Sequence, residues 1–312
     1  MSLELTNEQI ASGNGDALHV AAPTRTSPAY RLTEPLLKIR PKSGWAALNL
    51  ADLWHFRDLL FALALRDVRL RYKQTALGIT WVILQPLLAA GVLSFAFGTV
   101  AGLNRGENRY FLICYIGMLA WNIFNGTLTR CSTVLIGNSQ LISKVFFPRL
   151  VLPLSTIPSA LLDFFIALAM LVVLMVMYGA TPGIAVLMFP VWLAMVLLLS
   201  AGIGLWTSAL TVSYRDVVYI LPVFLQLLLY ASPVAYPVSK VPAHLQSIYQ
   251  LNPLVSVISG MRWSLLSVGA GGSGAETPRW GFVIYSAAVT VAIALSGAFA
   301  FKRMERKFAD VI

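Results

Sequence analysis

The chain has 312 residues, 58% of them hydrophobic and only 12% charged, with a formal net charge of +10. A soluble domain carries about 25% charged residues, so the composition excludes an ordinary soluble globule and indicates an integral membrane protein. The basic residues flank uncharged stretches, as juxtamembrane residues do, so the cationic excess is assigned to membrane lipid and no nucleic-acid partner is expected.

Residues 1–44 are polar, contain Pro, Ser and Thr, and lack an apolar run of signal-peptide length; they read as a flexible cytoplasmic tail. Residues 45–77 follow as an interface segment. Leu53, Phe56, Leu60, Ala64 and Asp67 recur at helical spacing, and Arg66, Arg69, Arg71, Tyr72 and Lys73 close the stretch. From Thr75 to Asn104 no residue is charged. An amphipathic helix lying in the membrane interface and feeding a first span accounts for this pattern; a plain juxtamembrane anchor is the alternative.

A spanning helix needs about 20 apolar residues. That requirement places spans at Gly78–Val100, Tyr110–Cys131, Leu152–Tyr178, Ile184–Val212, Val218–Tyr236 and Trp280–Phe301. Tyr178 to Gly183 is a turn signal between the third and fourth. Between Val238 and Val268 the chain holds Lys240, His244, Arg262 and the prolines Pro242 and Pro253. That is too polar for a span and too apolar for a loop, so two short re-entrant helices are expected, buried in protein or facing an aqueous path. The expected fold is all-α: a six-helix membrane domain over residues 78–301, an interface helix before it, and a basic cytoplasmic tail, 302–312. With six spans both termini are cytoplasmic, and only Arg105, Arg109, Lys240, Arg262 and Arg279 of the 23 Lys and Arg lie outside, in keeping with the positive-inside rule.

The sequence carries no G-x-x-x-x-G-K-[ST] phosphate loop, and the glycines at 269–274 come without the lysine. His19, His55 and His244 are isolated, and Cys114 and Cys131, about 25 Å apart on one helix, neither pair nor form a metal site. No nucleophile–base set is suggested, so no catalytic residue, metal or cofactor is assigned to this chain. Three other features stand out. Asn138, Leu141, Ile142, Lys144 and Phe146 form a short, half-apolar segment suited either to docking in a partner's groove or to lying on the membrane. Asp163 is an acid inside an apolar span, there to pair with a basic residue or to touch substrate. Trp81, Tyr115, Trp121, Phe124, Tyr230 and Tyr236 belong either to interfacial belts and packing or to a path where aromatic faces stack on sugars.

Four blocks in order, RDVRLRYKQTALGITWVILQP, NSQLISKVFFPRLVLP, SYRDVVYILPVFLQLLLYASPVAYP and YQLNPLVSVISGMRWSLL, resemble the membrane subunit of type-2 ABC exporters, in the branch that moves O-antigen, capsular or teichoic-acid polysaccharide. The resemblance covers the chain from about Leu53 onward. It implies a homodimer in the bacterial inner membrane with two cytoplasmic ATPase subunits, which would hold the ATP and Mg. Residues 138–146 would be the coupling helix, Leu53–Tyr72 the interface helix, and Val241–Leu266 the re-entrant pair. The spans beginning at Gly78 and ending at Tyr236 would line a path for a lipid-linked glycan. The rivals are a drug or lipid exporter of the same architecture, in which the path would be mainly apolar, and a membrane-embedded glycolipid transferase, for which paired carboxylates are missing.

Overall fold

The computed structural model describes residues 54–73, 78, 80–103, 109–145, 147–266, 276–305 and 308. The expected N-terminal tail, Phe146 and most of the C-terminal basic tail lie outside the described residues. No strand occurs among those described, and the fold is all-helical.

Helix α1 (Arg57–Lys73) is followed by α2 (Thr80–Leu93), which continues as a π-turn over Ser94–Val100. Then come α3 (Tyr110–Gly137), the short α4 (Ser139–Lys144) and α5 (Val151–Met177). A 3₁₀ turn at Ile184–Met188 leads into α6 (Phe189–Ser213), and α7 spans Val217–Tyr230. Two short helices, α8 (Ala243–Tyr249) and α9 (Pro253–Leu266), precede α10 (Trp280–Met304).

Among the described residues, five helical stretches are long and apolar enough to cross a membrane: Thr80–Val100, Tyr110–Gly137, Val151–Met177, Ile184–Ser213 and Trp280–Met304. The segment expected as a span to Tyr236 stops sooner. Helix α7 has 14 residues, because at Ala231 the chain turns through Ser232 and Pro233 toward Pro237 instead of continuing. Fourteen residues rise about 21 Å, less than the hydrocarbon thickness of a bilayer.

Helix α3 is the axis of the bundle. It packs along α5 and α6, while α6 also packs on α10. Of the most apolar stretch of α3, 78% is buried, against 17% for the stretches led by α2 and α10. A helix apolar on all sides must face protein or lipid all round, so the two poorly covered helices present their sides outward. Helix α7 likewise buries only Leu221 and Leu225.

Cys114 and Cys131 on α3 are both buried, free thiols. The link after α5 closes through a Schellman arrangement. Gly179 adopts φ +60°, Ala180 N donates to Met175 O at 2.8 Å, and Gly179 N donates to Val176 O at 3.1 Å. The left-handed residue there is glycine because this backbone conformation is strained for any residue with a Cβ, even in open space.

Hydrogen bonds define two ends of the molecule. At one, Arg66 on α1 meets Asn138 before α4, and Arg149 meets Glu305 at the close of α10. At the other, Arg109 Nη2 donates to Gly179 O at 3.1 Å, and the 231–236 turn rests on the start of α3.

Candidate coupling site

Asp163, on the fourth turn of α5, is the hub of the α1 end. Its Oδ2 accepts from Arg71 Nη1 at 2.5 Å and also from Arg130 Nη2 on α3. Its Oδ1 accepts from the Tyr72 hydroxyl at 2.5 Å. Asp67, one turn earlier on α1, accepts from Arg71 Nη2 at 3.3 Å and from the Ser159 hydroxyl at 3.0 Å. The i, i+4 spacing of Asp67 and Arg71 sets them on one helix face, and Ser159 and Asp163 stand in the same relation on α5. Two helices therefore meet along matched polar faces, with Arg130 reaching in from α3.

Two carboxylates face two guanidiniums, so the cluster is charge-balanced. That balance allows ionised groups to stay at a half-buried site, since a lone charge there would carry its desolvation cost uncompensated. Partial burial, reinforced by the hydrogen bond to Asp163, pushes the Tyr72 hydroxyl up to about 12. It therefore remains a donor at neutral pH. Asp163 thus takes the pairing role open to it in the sequence, with Arg71, Tyr72 and Arg130 as its donors.

A second tether lies below the first. The Asn138 side-chain oxygen accepts from Arg66, while its Nδ2 donates to Val134 O at 2.9 Å. Asn138 thus closes α3, begins α4 and holds α1 at once. Leu141 and Ile142 turn inward onto an apolar cluster built by Leu63, Leu135, Phe147, Leu150, Phe301 and their neighbours. These two anchor α4 to its own chain, so the outward face is Gln140, Ser143, Lys144 and Val145. Arg149 fixes the far side: its backbone N–H and Nη1 donate to Glu305 Oε1 and O at 3.2 and 2.6 Å. The arrangement joins α4 to α1 through Asn138, and α1 to α3 and α5 through Asp163. Lys73 is exposed.

Beside the cluster is a cavity of about 330 Å³, bounded by Arg130, Trp81, Gln85, Asn122, Asn125 and Asp163. Arg130 Nη1 is buried there and meets no acceptor among the described residues.

The aromatic expectations divide. Trp81 and Tyr230 are 51% and 59% exposed. Tyr115, Trp121 and Phe124 are enclosed in the core around α3, and the Tyr115 hydroxyl donates to Ala167 O at 3.0 Å. They pack within the bundle, because α3 is surrounded by its own chain. Tyr236 lies past the end of α7. Its hydroxyl donates to Tyr230 O at 2.9 Å and accepts from Tyr249 at 3.0 Å.

Arg262, counted in the sequence as an exterior cation, is 2% exposed. Its Nε donates to Ile113 O at 3.1 Å, Nη1 to Tyr236 O at 3.1 Å and Nη2 to Val234 O at 2.6 Å. It staples α9, the 231–236 turn and α3 together. Gly117 makes room: a Cβ there would lie 2.2 Å from Val234 O and 2.6 Å from Arg262 Nη2. The available signal was a single cation inside the otherwise uncharged run 253–266.

Among the described residues no group of His, Cys, Asp and Glu could hold a metal ion. The described residues thus form a multi-helix membrane protein in which charged side chains tie α1 to the bundle. The profile of the ABC-2 type transporter family matches residues 58–266, and the chain belongs to that family. It is similar to the O-antigen export system permease protein RfbA of Klebsiella pneumoniae, at 27% identity over 262 residues, covering 84% of this chain and 97% of the relative. RfbA of Myxococcus xanthus is 30% identical over 210 residues, covering 67% and 80%. The polysialic acid transport protein KpsM of Escherichia coli is 28% identical over 210 residues, covering 66% and 80%.

Proposed function

We propose that the chain is the membrane subunit of an ATP-driven exporter that moves lipid-linked polysaccharide, of O-antigen, capsule or teichoic-acid type, across the bacterial inner membrane. Family membership and the export and transport roles named for three relatives support the cargo class. The observation that carries the mechanism is the pair of tethers, Arg66 to Asn138 and Asp163 to Arg71, Tyr72 and Arg130.

In this reading the α1 end is cytoplasmic and two copies of the chain associate with two ATPase subunits, which hold ATP and Mg. The outward residues of α4, Lys144 among them, meet the ATPase; Phe146 is a further contact. Helix α1 lies in the membrane interface, with Phe61, Leu65 and Leu70 exposed toward acyl chains and Lys73 toward headgroups. Helix α7 with its following turn is the sixth crossing, and α8 and α9 are re-entrant. ATP-driven closure of the ATPases pushes α4, and the tethers pass that displacement to α1, α3 and α5. The outward sides of α2 and α7, with Trp81 and Tyr230, face the second copy and the path between. The lipid-linked glycan passes there, its first sugars near the cavity of Trp81, Asn122 and Asn125.

The test is deletion of the gene in its native cell, followed by localisation of the lipid-linked glycan. Polymer trapped on the cytoplasmic face, with the surface bare, is the expected result. Unchanged surface glycan would refute the reading.

A further inference from the structure

At the end of the molecule opposite α1 lies a second cavity, of about 410 Å³, between α8, α9 and the start of α10. Ligand sites occupy about 300–1,000 Å³, so it is large enough for a small molecule or one unit of a polymer. Its walls differ in character. Val255, Pro278, Phe282 and Val283 form an apolar side, and Gln246, Gln250, Ser256, Ser259 and Thr277 supply amide and hydroxyl groups. Glu276 and Arg279, the two charged residues on the wall, cancel.

Most of these polar groups are already engaged. Gln246 Nε2 donates to Val241 O at 3.0 Å, and its oxygen accepts from Arg279 at 3.4 Å. Glu276 Oε1 accepts from Ser239 N at 2.8 Å. Ser256 donates to Phe282 O and accepts from Ser286. One is not. Gln250 is only 7% exposed, yet its side-chain oxygen has no hydrogen-bond partner. The Ser259 hydroxyl lies on the same wall and is partly exposed. Buried polar atoms are normally satisfied, and an unsatisfied one calls for an explanation.

We propose that this cavity is a binding site for a neutral sugar residue of the exported glycan, with Gln250 and Ser259 as its specificity-determining contacts. The proposal rests on the export reading above. A pyranose ring has an apolar C–H face and a rim of hydroxyls that both donate and accept. The face packs on the Phe282 side, as aromatic surfaces pack on apolar ones, and the rim meets the amide and hydroxyls opposite. A site without net charge disfavours a phosphate or carboxylate group, which would lose hydration without a compensating cation. Because the cavity stands at the far end from the α4 tethers, it binds glycan on the exit side.

The full chain, in nanodiscs, is titrated with lipid-free oligosaccharides released by mild acid from the same cell's surface polysaccharide, and saturation-transfer NMR reads binding. Wild type binds, and Gln250→Leu and Ser259→Val each weaken binding at least about tenfold, as expected where a hydrogen bond from a buried site is lost. Ser259→Val keeps the test decisive if Gln250→Leu does not accumulate, because Ser259 is partly exposed and its substitution leaves the buried core untouched. No binding by wild type, or equal binding by wild type and both variants, overturns the site. If deleting the gene nevertheless bares the cell surface, the export reading survives that failure. If deletion leaves surface glycan normal, both fall together.

Discussion

Replacing Asp163 by alanine removes the shared acceptor of Arg71, Arg130 and Tyr72 and leaves two guanidiniums side by side. A hydrogen bond involving a charged group contributes about 1.5–3 kcal/mol. The side chains are not fully buried, however, with Asp163 18% and Arg71 and Arg130 30% and 26% exposed. Water and salt recover part of the loss, so about 2–4 kcal/mol is expected for the three contacts together. Most of it falls on the seating of α1 against α5, because α3 and α5 remain packed through the core. Amide hydrogen exchange in nanodiscs reads this directly. Protection across residues 57–73 should fall roughly 30- to 700-fold, with α3 and α6 unchanged. Asp163→Asn keeps one acceptor for Tyr72 but loses the charge, so it should lie between wild type and alanine. Less than about a threefold change in α1 would refute the idea that this carboxylate seats the helix.

Three further outcomes follow from the same geometry. Gly117→Ala places a methyl against Val234 O and Arg262; overpacking of this kind costs about 1–3 kcal/mol, visible as a lower melting temperature in detergent. Arg66→Ala or Asn138→Ala breaks the lower tether without touching any nucleotide-binding group. Each should lower glycan export several-fold, by roughly the effect of one net hydrogen bond, while ATP hydrolysis by the assembled complex persists. Tyr72 has its folded pKa raised above the unfolded value of 10.0, to about 12. Its contribution is therefore complete below pH 10 and fades as pH rises through 12, and a tyrosinate absorbance titration compared with Tyr72→Phe should show that late step missing in the variant.

The long spans were legible because unbroken apolar stretches between charges admit few readings. The α5–α6 link was legible through Gly179, where a left-handed residue was needed. The end of α7 was not, because the residues after Tyr230 are as apolar as those before and only Ser232-Pro233 marks the turn. Asp163 was legible as an anomaly, but its partners were not: Arg130 comes from a helix 33 residues away in sequence. The burial of Arg262 was not legible, because charge counting assigns only a side, whereas burial depends on carbonyls brought together by three separate segments. Aromatic rings defeat sequence reading for a related reason. Trp81 and Trp121 look alike as tryptophans within uncharged apolar stretches, and only the central position of α3 separates the exposed ring from the enclosed one.

The shared oxygen of Asp163 has an evolutionary consequence. A carboxylate oxygen that serves two guanidiniums ties three positions to one another: losing the acid strands both cations, and losing either cation unbalances the remainder. Single substitutions at 71, 130 or 163 should therefore be poorly tolerated, whereas concerted replacement by a neutral set of matched size should be viable. In an alignment of relatives, these three columns should change together or not at all.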